Sequence, residues 1–250
     1  MSESVVSPDQ ARAELAPTGV LRAAINLGNF LLVTGRGAGG EPQGVAPDMA
    51  RAVAERLGAE VAYVPFARPN LIADAADDGV WDIALIGAEP ARAARIAFSP
   101  AYCEIEAAYL TPAGSPIAAM SEVDRPGVRI AVLAGAAYDL WLERNIRAAS
   151  LVRAASAAAA SRLVADGAAD VLAGLRPGLL DELERLPGAR ILDGKFTAVQ
   201  QAIGTQRAHT AGAAFLAAFA EEAKASGLVA RLIERHGVGG RLSVAAAAGA

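Results

Sequence analysis

One segment carries residue types at a spacing that could hold an anion: Gly87-Ala88-Glu89-Pro90-Ala91-Arg92, continuing to Phe98-Ser99-Pro100-Ala101-Tyr102. It follows an apolar run, Asp82 to Ile86, that reads as a strand. Pro90 suits the first position of a helix, where its missing N–H would be unpaired in any case. That order puts Arg92 in the first turn of a helix beyond a strand's carboxyl end, where open α/β sheets take their ligands. A guanidinium there is suited to grip a carboxylate through two parallel charge-assisted hydrogen bonds. The plainer alternative is a surface Arg on a short helix, as expected for Arg95.

A second candidate is Ala134-Gly135-Ala136-Ala137-Tyr138, which follows a strand and opens a helix. Its first N–H groups could cradle an anion, with Gly135, Ala136 and Ala137 offering backbone alone. Tyr138 and Asp139 read either as ligand-facing or as solvated first-turn residues. Arg176 opens a later helix; facing a ligand it would favour a second anionic group, and facing water it is a helix-start Arg. Glu89 reads as a partner for a ligand ammonium or as a helix N-cap.

Other chemistries find no support. His209 and His236 have no His or Cys partners at metal-ligand spacing. No Gly-x-Ser-x-Gly elbow is present, and Gly35 to Gly40 lacks the Lys-Ser/Thr ending of a phosphate loop. Cys103, the single cysteine, reads as a small apolar filler. No cofactor and no metal are expected. A net charge of −4 spread along the chain gives no basic stripe for nucleic acid, and no apolar run is long enough to span a bilayer.

The elements that position these residues alternate. Strands are expected at Val20–Asn26, Glu60–Pro65 and Trp81–Ile86, with helices at Pro47–Leu57 and Asn70–Asp77 between them. A second α/β series follows: strands at Val128–Leu133, Leu151–Ala154, Ala169–Leu175 and Arg190–Leu192, and helices from Gly135, Ser156 and Pro177. Thr197–Gly204 is extended, and helices at Thr210–Ser226, with Phe215 and Phe219 facing inward, and Leu228–His236 close the chain. Such alternation implies mainly parallel sheets covered by helices.

The stretch from Gly87 to Tyr102 resembles the segment of family 3 extracellular solute-binding proteins that reads Thr-x-Thr-Pro-Glu-Arg and then Phe-Ser-x-Pro-Tyr. The resemblance runs from about Gly19 to about Gly237. It implies a two-lobed type II periplasmic-binding-protein fold, each lobe a mainly parallel sheet flanked by helices, with two hinge crossings. Lobe 1 is expected at 18–110 plus 198–240 and an inserted lobe 2 at 111–197, with 1–17 and 241–250 as flexible termini. The resemblance gives Arg92 the role of holding a ligand carboxylate. It makes Asn29 and Phe30 the loop where the family carries a ligand-stacking aromatic.

Departures from the family pattern bear on the ligand. Members that bind α-amino acids place an Asp where this chain has Leu175, and hydroxyl residues where it has Gly87 and Glu89. A buried ammonium without a carboxylate partner costs several kcal/mol, so an ordinary α-amino acid in the usual pose is not expected. The expected function is closure of the lobes around a small carboxylate-bearing ligand, amino-acid-like or an organic acid, as in ABC-transporter substrate-binding proteins. A cyclohexadienyl-dehydratase-like enzyme of the same fold and a cytoplasmic ligand-sensing module are the alternatives. The expected partners are a small molecule and an ABC-transporter permease, for a monomer that enters no membrane. Met1 to Pro17 does not read as a secretory signal; the expected location is cytoplasmic, or periplasmic if an export signal lies outside the sequence.

Overall fold

A computed structural model describes residues 8–248, which fall into two compact units: 8–104 with 200–248, and 105–199.

Unit 1 opens with α1 (Pro8–Leu15), inside the segment expected to be flexible. Ala11 and Leu15 are buried, and Glu14 accepts the Gly212 N–H at 2.7 Å, so a short apolar face and one carboxylate dock this helix. The residues Met1 to Ser7 lie outside the described residues. Strand β1 (Val20–Asn26) is followed by a loop with a small hairpin, β2 (Gly35–Arg36) and β3 (Pro42–Gln43). Helix α2 (Val45–Leu57) ends at Gly58, whose left-handed φ of 63° is the expected glycine stop. It leads to β4 (Glu60–Phe66), α3 (Pro69–Asp74) with a 3-10 turn at Ala75–Asp77, and β5 (Ile83–Gly87). The single turn α4 (Pro90–Ala93) and β6 (Ile96–Phe98) complete the segment around Arg92.

The chain enters unit 2 between Glu104 and Ile105, inside β7 (Cys103–Thr111). This crossing comes ahead of the boundary expected after Leu110, because Ala107–Leu110 already pair with a strand of unit 2. Unit 2 then builds β8 (Arg129–Leu133), α5 (Ala137–Asn145), β9 (Ser150–Ala154), α6 (Ala157–Ala165), β10 (Val171–Leu175), α7 (Arg176–Leu183) and β11 (Arg190–Ile191). The Ser156 hydroxyl caps α6 by accepting the Ala159 N–H at 3.1 Å. Strand β12 (Thr197–Gln206) returns to unit 1 between Val199 and Gln200. There α8 (Thr210–Ala225), α9 (Leu228–Arg235) and β13 (Ser243–Val244) follow.

In unit 1, β1 lies between β4 and β5, parallel to both, and β12 runs antiparallel to β5. In unit 2, β8 lies between β9 and β10, parallel to both, and β7 runs antiparallel to β10. One device recurs in both. Arg22 donates from its backbone N, Nε and Nη2 to Asp82, while Arg129 does the same to Asp170. Each bidentate pair fixes the entry into a central parallel strand.

Two sequence expectations are corrected here. Phe215 is only half-buried, flanking a face formed by Leu216, Phe219 and Ala220. The tail from 241 is not loose over its described length. Ser243 and Val244 pair with Glu104 and Cys103, Ala245 donates to the Tyr102 carbonyl at 3.2 Å, and the Lys224 ammonium holds the Ala246 carbonyl at 2.7 Å. Backbone bonds and one lysine order a segment whose small side chains carry no pattern; Gly249 and Ala250 lie outside the described residues.

Candidate functional site

The carboxyl ends of the adjacent parallel strands β1 and β5 carry the unit 1 candidates. After β5, the Ala88 N–H is held by the Gln200 carbonyl at 2.8 Å, and Pro90 starts α4. Arg92 follows in that turn and is only 4 % exposed, so it is not a surface Arg. Its Nη1 donates to the Gly87 carbonyl at 2.6 Å. Burial pulls the Arg92 guanidinium down to about 10, against the opposing pull of the Glu89 and Asp74 charges. By contrast Arg95 is half-exposed and pairs with Asp77, as its surface reading expects.

Glu89 occupies the N-cap position of α4 with an extended backbone, yet its carboxylate makes no capping bond; its carbonyl instead accepts the Arg92 and Ala93 N–H groups. Its side chain is buried, within electrostatic range of Arg92. The Phe98-Ser99 pair has a structural role. The Ser99 hydroxyl accepts the Ile203 N–H at 3.1 Å and donates to the Pro100 carbonyl at 2.7 Å, locking this turn onto β12.

The loop after β1 is built by Asn29. Its Oδ1 accepts the Leu31 N–H at 3.2 Å and its carbonyl accepts from Leu32 and Val33, so buried Leu31 and Leu32 anchor the loop while Phe30 stands 43 % exposed. Gly44 makes this packing possible: at its φ of 149°, a Cβ would lie 2.2 Å from the Leu32 carbonyl oxygen. Arg241 lies over the Phe30 ring, with its guanidinium carbon 5.5 Å from the centroid. Sequence reasoning missed Arg241 because a Gly-Gly-Arg after a helix carries no periodicity.

Unit 2 has its own carboxyl edge, where β8 leads to α5 and β10 to α7. Gly135, at φ +72°, donates its N–H to Asp139 at 2.8 Å, and Ala136 and Ala137 form the start of α5. Asp139 is 2 % exposed and is held by Arg153 Nε at 2.9 and 3.1 Å. Neither Asp139 nor Tyr138 is solvated; the Tyr138 hydroxyl is pushed up by burial. The negative charge that this helix start attracts is therefore supplied by the chain itself, through Asp139.

Arg176 donates Nε to Glu106 at 3.0 Å and also bonds the Gly194 carbonyl, while Lys195 reaches the other Glu106 oxygen at 3.2 Å. The hydrogen bond from Lys195, then Arg176, holds Glu106 below the usual carboxylate range. Leu175, at the position where the family pattern has Asp, packs with Trp141 and Phe196 on an apolar cluster. The structure thus gathers Gly87, Glu89 and Arg92 into one cluster and sets Asn29 and Phe30 on the neighbouring loop. In unit 2, Gly135 to Ala137 and Arg176 sit on adjacent helix starts. Among the described residues, no group of three His, Cys, Asp or Glu stands close enough to hold a metal ion. No helix there is long and apolar enough to cross a membrane.

The family model for bacterial extracellular solute-binding proteins, family 3, matches residues 32–239, and the chain belongs to that family. It is similar to cyclohexadienyl dehydratase of Pseudomonas aeruginosa, 29 % identical over 180 residues; the match covers 68 % of this chain and only 65 % of that relative. Its fold is that of a mutant of the arginine-binding protein of T. maritima (TM-score 0.71, 20 % identity, covering 90 % of this chain and 98 % of that one). A binding component of an ABC transporter from Wolinella succinogenes, complexed with lysine, superposes similarly (TM-score 0.71, 20 % identity, 87 % and 95 % covered).

Proposed function

We propose that this protein binds a small carboxylate-bearing solute, an organic acid or an amino-acid-like molecule, and delivers it to an ABC-transporter permease. The ligand carboxylate is held by Arg92, with Gly87, Glu89, Asn29 and Phe30 around it on unit 1; Gly135 to Ala137 and Arg176 are its partners on unit 2. The two units close on the ligand, driven by contacts made only in the closed state. Delivery of this kind is extracytoplasmic, in keeping with the family to which the chain belongs.

The observation that carries this reading is the burial of Arg92. Removing a guanidinium from water lowers its pKa to about 10 even with Glu89 and Asp74 nearby, so an arriving carboxylate would restore what desolvation took away. A thermal-shift screen across carboxylic acids tests it. An acid that raises the melting temperature of the parent chain and leaves Arg92→Met unshifted supports the reading. An equal shift in both proteins contradicts it.

A second reading has one observation in its favour, the similarity to cyclohexadienyl dehydratase. An enzyme of that kind needs a carboxylic acid to protonate a leaving hydroxyl. Glu89, buried beside Arg92, and Glu104, which accepts Gln200 Nε2 at 2.9 Å, are the available groups. Phenylpyruvate formed from prephenate would establish this reading.

A further inference from the structure

We propose that the C-terminal segment 243–248 is a clasp on the hinge: it ties the unit 1 roots of both inter-unit crossings together and governs how freely they bend. This goes beyond the ligand reading and does not depend on the role of Arg92. The chain leaves unit 1 after Glu104 and re-enters it at Gln200. Those two residues are joined, because Gln200 Nε2 donates to Glu104 Oε2 at 2.9 Å. One step inward, the Tyr102 N–H donates to the Gln201 carbonyl at 2.9 Å. The bends that let two units move fall on a few residues at such element boundaries. A side-chain bond between the two roots therefore couples one bend to the other.

The tail lies on the first root. Ser243 pairs with Glu104 and Val244 with Cys103, and the Ala245 N–H donates to the Tyr102 carbonyl at 3.2 Å. Backbone pairing thereby holds the three residues that lead into the crossing. The far end of the tail is anchored on α8. Lys224 Nζ donates to the Ala246 carbonyl at 2.7 Å and to Glu221 Oε1 at 2.9 Å, and the same Glu221 oxygen accepts the Ala248 N–H at 3.2 Å. The Lys224 side chain is only 6 % exposed. A buried ammonium is costly unless it is paired, and one group that pairs it is a carbonyl of the tail. The docked tail and the buried lysine thus support each other. At the other root, the Gln200 carbonyl accepts the Ala88 N–H at 2.8 Å, where the loop towards Arg92 begins. Tail, Glu104, Gln200 and Ala88 form one run of hydrogen-bonded contacts inside unit 1.

Hydrogen exchange of the unliganded full chain tests this with two tail variants. Ala245→Pro removes the N–H that reaches Tyr102, and Lys224→Met removes the ammonium from Ala246. Faster exchange at Ser243 and Ala248 reports a released tail. Each variant is expected to release the tail and to speed exchange at Val199 to Gln201, on the second crossing, by about tenfold or more. Amides of β1 and β8 should keep their parent rates, which shows that both units stay folded; if Ala245→Pro disturbs them, Lys224→Met carries the test. Gln200→Ala, which cuts the link and leaves the tail docked, should speed Val199 to Gln201 alone. A released tail with parent rates at Val199 to Gln201 overturns the proposal, since the tail then covers an edge and nothing more. So do parent rates there in Gln200→Ala, or a tail that stays protected in both tail variants. None of these results touches the reading of Arg92, which is tested with ligand.

Discussion

The Arg92 guanidinium donates through Nη1 to the Gly87 carbonyl 2.6 Å away, so the last residue of β5 orients a cation carried one short turn later. That cation is buried and its pKa is drawn down to about 10 from 12.5. Between those values the folded chain binds fewer protons than the unfolded chain, so stability rises with pH across that window, and at neutral pH the whole penalty is present. Arg92 stays charged there, at a cost to the unliganded fold of about 3 kcal/mol.

Arg92→Met should therefore make the unliganded protein more stable. Removing the charge relieves that penalty, and it gives up bonds that include the one to the Gly87 carbonyl, worth about 1 kcal/mol. A net gain of about 1–2 kcal/mol would raise the melting temperature by about 2–4 °C per kcal/mol. Scanning calorimetry checks this, and a lower melting temperature would show that the fold itself needs the guanidinium.

Gly44 connects the hairpin region to the loop that carries Asn29 and Phe30. Gly44→Ala puts a methyl group against the Leu32 carbonyl and in a φ that L-residues avoid. A loss of about 1–3 kcal/mol is expected, together with weaker ligand binding because Phe30 moves with Leu32. Paired melts and titrations read both effects; a variant that melts like the parent would mean that the loop yields freely.

Unit 2 should be the first to weaken in acid. Its Glu106, Glu122, Asp124 and Asp170 all sit below their ordinary pKa values, the last held by hydrogen bonds from Arg129. Groups lowered in this way contribute stability above their unfolded pKa and lose it as pH falls towards the folded value. The effect therefore develops below about pH 4.5. Trp81 lies in unit 1 and Trp141 in unit 2, so Trp81→Phe and Trp141→Phe variants each leave one reporter. Fluorescence of Trp141 should change at higher pH than that of Trp81; the reverse order would contradict the assignment.

Leu175→Asp should move ligand preference towards amines. In the parent chain, valerate is expected to bind more tightly than norvaline, because the end of β10 is apolar. A carboxylate at 175 supplies the missing ammonium partner, and the ratio of the two affinities should fall by roughly tenfold. No change in that ratio would place the ligand's amine end away from Leu175.

The order of elements was legible because apolar strands, helix-starting prolines and a glycine stop at Gly58 each impose a local geometry. Arg92 was legible for the same reason: Pro90 sets where in its turn it falls. Other features depended on partners distant in sequence. Asp139 capping Gly135 is a choice of rotamer, and the pairing of Ser243 and Val244 with β7 uses backbone alone. Arg241 could be placed only once Phe30 was seen beneath it. The bonds of Arg176 to Glu106 and to the Gly194 carbonyl likewise join residues far apart in the chain.

The central claim is that Arg92 anchors a carboxylate. The most direct measurement is titration of the parent chain and Arg92→Met with the acid that most stabilises the parent. At a hundredfold excess over its dissociation constant, that acid should stabilise the parent by about 2.7 kcal/mol and leave Arg92→Met, still folded, without measurable heat or shift. Equal binding to both proteins would contradict the account.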